Sequence, residues 1–278
     1  MPEPVTGAVA LAKAMGSAGP KAEEGAGKLL TRLLGPSVDV FGEALARSAA
    51  YRTRNFGRIV QRADRKSRGR SDGTVGARVA FVMLEDGSLC DDELMAEYLG
   101  GVLAGARTPN GKDDRAVSWI KVITGLSVLE VRAHYLLYRE WAARLRGRTD
   151  LKLGMSVDAM KSTLDVEYFE FAQLVNAGDS IAAIELVDHT IPGLQAVGLL
   201  GTDCSGGSRN SVAPDSPFDH VVRITPSSRG CELYGWAQGL SGLIAAEFTS
   251  RAEAFDTEPP IPRLKKVALT KLSCATET

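Results

Sequence analysis

The amino-acid sequence predicts a mainly α fold: an N-terminal multi-helix domain followed by a small α+β, winged-helix-like domain. Three observations predict it. Apolar residues recur at three- and four-residue spacing through much of the chain up to residue 147. Helix-start signals stand ahead of several of these runs. Beyond residue 154, one alternating segment at 219–225 stands out among helical patterns and is stopped by Pro226.

Residues 1–36 form an Ala/Gly-rich helical segment. The second of its two patterns covers 22–34 and is stopped by Gly35 and Pro36. Its glycines make it marginal by itself. A long helix follows over 37–66. At 100° per residue, Phe41, Ala49, Phe56, Ile59, Val60 and Ala63 fall within about 60° of Leu45, which assigns that side to the core. A helix at 75–84 is broken by Gly87 and Ser88. Asp91, Asp92 and Glu93 open the next, and three acids suit the positive end of a helix dipole. Its apolar face is Met95, Tyr98, Leu99, Val102 and Leu103. A Thr-Pro-Asn-Gly turn at 108–111 leads to a helix capped by Asp113 and Asp114, carrying Val117, Trp119, Ile120 and Ile123. Ser127 and Glu130 form a capping box for a helix that runs to about Arg146. Residues 37–147 are thus a helical domain in which only helices are expected.

Residues 146–154 have the composition of a linker. The winged-helix-like domain covers 155–256. It is expected to hold helices at 157–176 and 181–197, a Gly/Ser/Pro-rich loop, the strand at 219–225, a helix at 227–239 and a further helix within 240–255. The two-stranded wing is expected in 201–225. Residues 257–278 are expected to be a loose tail.

The 278 residues carry a net charge of −1, so the molecule as a whole does not attract nucleic acid, and any anion contact must come from a local patch. The first residues lack a basic region, and their apolar run is broken by Gly7, Lys13 and Gly16, so a secretory signal is not expected. No stretch approaches the length of a membrane-spanning helix, and a cytoplasmic location is the expectation. Cys90, Cys204, Cys231 and Cys274 are far apart in sequence and are expected as reduced thiols.

No catalytic constellation can be singled out. The Gly25-Ala-Gly-Lys28 stretch fails as a phosphate loop, with Ala22 where a glycine is needed and Leu29 where a hydroxyl is needed. His134, His189 and His220 have no metal-ligand spacing, so neither metal nor cofactor is expected. The acid pairs at 91–92 and 113–114 are explained by helix capping rather than acid–base chemistry. Trp119, Trp141 and Trp236 lie on helical patterns and are assigned to packing.

One feature exceeds background. Arg47, Arg54, Arg58 and Arg65 project near 180–220° from Leu45, about opposite the apolar side, with Arg62 flanking them. The loop that follows adds Arg68 and Arg70. From Arg47 to Arg70 there are nine basic residues and one acid, Asp64. Four arginines spaced by seven, four and seven hold one face for about 27 Å. Guanidinium groups bind phosphate and carboxylate through two parallel hydrogen bonds. The ridge is therefore a candidate surface for an anionic partner, protein or nucleic acid. A second candidate is the wing, with Arg209, Arg223 and Arg229. Its would-be recognition helix carries His189 and Gln195 but no Lys or Arg, and Glu185 and Asp188 are acidic, which favours protein contact over DNA reading.

The run from Lys28 to Ala63, with Leu34-Gly35-Pro36, Glu43 and Asn55, resembles the opening of the bacterial abortive-infection alpha family. Residues 81–106 resemble that family's paired helices with acids at their junction, and 119–138 its next helix pair. Gly198-Leu199-Leu200 followed by Ile224-Thr225-Pro226 is similar to its closing pattern, with Ser228 where the family commonly has glycine. The resemblance covers most of residues 20–240. It implies association with bacterial phage defence or abortive infection and assigns no molecular mechanism. It carries no catalytic residue onto this chain. The expectation is a protein that works by binding, with a DNA-binding regulator as the alternative and an enzyme with an unrecognised site as the third reading. The partner and the oligomeric state, including a homo-oligomer, stay open.

Overall fold

The computed structural model describes residues 37–67, 73–176, 181–252, 255 and 261–270; the side chains of 37–47 and of Ser156 lie outside that description. The readings made for residues 1–36 fall outside it as well.

A stripe of small residues decides how the first helices meet. Helix α3 (Glu93–Gly105) is buried from Leu94 to its end. Asp92 starts it, its carboxylate accepting the amides of Leu94 and Met95 at 2.9 and 3.0 Å. A Cβ on Gly100 would lie 2.6 Å from the Cβ of Arg62 and 3.1 Å from the Ile59 carbonyl, so helix α1 (Ser37–Ser67) packs almost backbone to backbone. A Cβ on Gly101 would run into the Ala237 carbonyl, so α10 (Ser228–Ala237) sits equally close on the adjoining face.

Around this pair lie α2 (Ala77–Glu85), a 3₁₀ turn (Gly87–Leu89), α4 (Ala116–Gly125) and α5 (Val128–Arg144). The expectation of helices alone fails at two short strands, β1 (Thr74–Val75) and β2 (Arg107–Thr108), which pair antiparallel. Val75 therefore belongs to a strand rather than to the start of α2. Arg115, not Asp113 or Asp114, takes the N-cap position of α4. Asp113 contributes differently, gripping the Arg115 guanidinium through both oxygens and accepting its amide at 3.0 Å. The capping box of α5 is present in both halves.

The C-terminal half runs α6 (Ser156–Lys161), β3 (Leu164–Glu167), α7 (Tyr168–Asn176), α8 (Ala183–Ala196), β4 (Ser205–Ser208), α9 (Arg209–Val212), β5 (His220–Ile224), α10, a 3₁₀ turn (Ala245–Glu247) and β6 (Val267–Leu269). The four strands form one antiparallel sheet in the order β4-β5-β3-β6. The single helix expected at 157–176 is interrupted by β3. Leu164 and Val166 are fully buried, and pairing on both sides outweighs the weak helical pattern. Residues 240–252 hold turns and the 3₁₀ element in place of the expected helix. The tail is not loose at 267–269, where β6 pairs with β3. Arg139 holds its approach by donating to the Ile261 and Pro262 carbonyls at 2.6 and 2.7 Å. Glu170 accepts the Lys265 and Lys266 amides at 3.1 and 2.7 Å.

One continuous hydrophobic core runs through both halves. Its centre is aromatic, with Tyr98, Tyr135, Tyr138, Trp141, Tyr234 and Phe248 buried around His134. Tyr138 ties the halves together: its hydroxyl donates to the Leu199 carbonyl at 2.6 Å and accepts the Ser227 amide at 3.0 Å. Among the described residues no helix is long and apolar enough to cross a membrane.

His134 is wholly buried, its Nδ1 2.7 Å from the Tyr98 hydroxyl. Burial pulls its pKa from 6.5 down to about 3, the Gly230 backbone offsetting this only in part. The folded state keeps the ring neutral while an unfolded chain protonates it below about 6.5. The stability this difference supplies is present above the unfolded pKa and drains away as pH falls toward the folded one, at about 1.4 kcal/mol per pH unit. Urea unfolding at about pH 7 and about pH 4.5 should show this loss, and His134→Gln should remove that share of the slope. An unchanged slope in the variant would assign the acid sensitivity to other groups.

Candidate partner-binding surfaces

Helix α1 presents its faces differently from the hydrophobic projection. Asn55, Ile59, Ala63 and Ser67 are buried. Val60, assigned to the core, is 42% exposed; Ala49 is exposed and Phe56 half-buried. The buried face is thus turned roughly 20° toward the arginines, at 100° per residue.

The cause is the acidic edge of α3. Glu97, only 4% exposed, is ion-paired with Arg62 Nε at 2.8 Å, an Arg65 guanidinium nitrogen at 2.5 Å and Lys66 Nζ at 3.2 Å, the Arg65 contact being a hydrogen bond. Lys66 Nζ also donates to the Glu97 and Ala237 carbonyls at 3.0 and 2.7 Å. Glu93 pairs with Arg62 and, at 3.4 Å, with Arg58, whose guanidinium also donates to the Asp91 carbonyl. The expected outward ridge is therefore corrected at Arg58, Arg62 and Arg65: the carboxylates of α3 hold these three, Arg62 most deeply. A buried carboxylate needs such partners because its desolvation is otherwise uncompensated.

Arg54 is different. It is exposed, its guanidinium 5.7 Å from the Tyr51 ring, and no carboxylate partners it among the described residues. The Arg47 side chain, Arg68 and Arg70 lie outside the described residues. Just ahead of Arg54, Ser48, Ala49 and Ala50 are all exposed. Three successive residues 100° apart cover about 200° of a helix's circumference, so among the described residues little of α1 is covered at this point. Tyr51 and Arg52 begin its docking: the Tyr51 hydroxyl donates to the Leu89 carbonyl, and Arg52 donates to the Ser88 hydroxyl and to the Leu84 and Glu85 carbonyls.

Arg52 and Lys66 were missed as contact residues. The signal was available: both project within about 60° of Leu45, two cations inside the sector given to the core.

In the wing region, Arg223 of β5 is fixed between two carboxylates, Asp165 at 2.7 and 2.8 Å and Asp215 at 2.7 Å. These bonds push the Arg223 pKa up and hold Asp215 below its usual range. Arg209 lies 3.3 Å from Asp219, and Arg229 is exposed in the first turn of α10. The solvent face of α8 carries Ile184, Glu185, Asp188 and His189. Gln195 is spent on the Gly201 and Thr202 carbonyls, and His189 meets the Ser127 hydroxyl at 3.0 Å.

Among the described residues, no cluster of three or more His, Cys, Asp or Glu side chains could hold a metal ion. Cys90, Cys204 and Cys231 are free thiols. Burial, followed by its Asp91, Asp86 and Asp92 neighbours, pushes Cys90 up to about 11, away from thiolate reactivity. In comparisons with family models, curated proteins and solved structures, nothing matches this chain.

Proposed function

We propose that this is a non-enzymatic binding protein of the abortive-infection kind, and that the free part of α1 carries its contact with an anionic partner. The observation that supports this is Arg54, exposed and without a carboxylate partner among the described residues, close to the exposed Ser48, Ala49 and Ala50. Arg47 lies two helical turns earlier on the same projected face, and Arg58, with about a third of its side chain exposed, flanks it. Arg62 and Arg65 act inside the fold and hold α1 on α3. The tie to phage defence rests on the family resemblance of residues 20–240.

We further read residues 155–256 as winged-helix-like. The order α6, β3, α7, α8, β4, β5, with β5 between β3 and β4, supports this. The acidic and apolar face of α8 and the neutralised Arg223 favour protein contact there over reading of DNA bases.

Salt-dependent retention on mixed-sequence DNA tests the α1 contact. Arg54→Glu should elute at lower salt and lower the slope of log affinity against log salt by about one. Its urea midpoint should match the unaltered protein. Equal retention of both proteins would overturn the α1 reading. Loss of retention on Arg209→Glu or Arg229→Glu instead would favour the regulator alternative.

A further inference from the structure

A cavity of about 300 Å³ opens between the start of α4 and the end of α10 with the turn after it. Arg115, Ser118 and Trp119 line one side; Glu232, Trp236 and the residues from Ser241 to Ile244 line the other. Two of the three tryptophans of the chain meet here. Trp236 is 4% exposed and Trp119 is half-buried.

The charges in this cavity do not balance. Arg115 is neutralised by Asp113, which grips it through both oxygens. Glu232 is half-buried and has no ion-pair or hydrogen-bonding partner among the described residues. Its carboxyl pKa is raised by burial. The buried carboxylates of Glu97 and Asp165, by contrast, each have a basic partner within 3 Å. The net charge of the three groups is one negative.

Indole faces attract cations, and this wall already does so: the Arg115 guanidinium lies 5.8 Å from the Trp236 ring centre. Ser118 and Ser241 add hydroxyls, and Ile244 an apolar rim that is 53% exposed. Concave sites of this size, mostly apolar with a few converging polar groups, suit a small ligand or a single side chain.

We propose that this cavity binds an organic monocation, an alkylammonium or guanidinium group with an apolar stem, with Glu232 as the counter-ion and the Trp119 indole as the packing face. Two sources carry this chemistry: a free amine, or a lysine or arginine side chain of a partner protein. The site lies away from Arg54 and does not depend on the α1 reading.

Tryptophan fluorescence of the full chain tests it, with butylammonium as probe, butyrate as the anionic control and sodium chloride for ionic strength. Butylammonium should give a saturable change that neither control gives. Glu232→Gln should weaken the apparent affinity about tenfold or more, the scale of a lost charge-assisted contact, and Trp119→Leu should weaken it as well. Glu232→Gln removes a charge that burial disfavours, so its melting temperature should not fall, which separates lost binding from lost folding. A capped tripeptide with a central lysine distinguishes the sources: competition with butylammonium assigns the site to a partner's side chain, and no competition assigns it to a free amine. A response matched by sodium chloride, or saturation unchanged in Glu232→Gln, would overturn the proposal.

Discussion

Glu97→Ala should cost about 3–5 kcal/mol of folding stability, because it leaves buried positive charge on α1 without its counter-charge. Arg62 and Lys66 have side chains only 16% and 4% exposed, and both end on the Glu97 carboxylate. Urea unfolding gives the measurement directly. Glu97→Gln keeps the shape and a hydrogen-bond acceptor but not the charge, so it should lose most of what the alanine variant loses, the remainder being packing. A loss under about 1 kcal/mol in the alanine variant would mean that the cations relax into solvent and that the cluster contributes little. The expected size follows from burial. Exposed pairs such as Arg78–Asp114, 71% and 50% exposed, should be nearly silent to the same treatment.

Gly101→Ala should disrupt the fold even more, while Gly57→Ala should stabilise it. A methyl on Gly101 has no space: the Ala237 carbonyl carbon and oxygen occupy it, and both belong to backbone. Accommodating it requires α3 and α10 to move apart, which opens packing along the junction that Gly105 shares with Trp236 and Ser241. Failure to recover folded protein, or a melting temperature lowered by many degrees, is the expected result. Gly57 lies exposed within α1 with nothing near its missing Cβ. There the substitution only removes backbone freedom from the unfolded chain and should add about 0.4–1 kcal/mol. The two variants share one chemistry, and circular dichroism melts of both would show that local space decides the sign. A tolerated Gly101→Ala would mean that α10 is less tightly seated than described.

Much of the helical half was legible because its signals are local. Asp92 at the start of α3 and the Ser127–Glu130 box of α5 need only neighbours in sequence, and both appear where the residues indicate. The orientation of α1 was less legible, since hydrophobic projection gives no weight to a cation that will meet a buried carboxylate. Glu97 was one more acid near a helix start; only its position under Arg62 and Lys66 makes it the centre of a junction. Strand β3 was missed for a similar reason. Its four residues are stabilised by β5 on one side and β6 on the other, partners some 60 and 100 residues distant. For the candidate sites, the sequence marked basic residues and left open which were already neutralised. It separated neither Arg54 from Arg65 nor an ion-paired Arg223 from an exposed Arg229. The Trp119–Glu232 cavity has no linear signature, because its two walls lie more than a hundred positions apart.

The strap formed by residues 261–269 has a consequence for how the chain is made. Until it emerges from the ribosome, Arg139 lacks the two carbonyls it points at, and β3 shows one open edge in search of hydrogen bonds. A nascent chain that has not yet reached residue 261 therefore carries an unfinished, sticky margin, which the strap seals once it has been made.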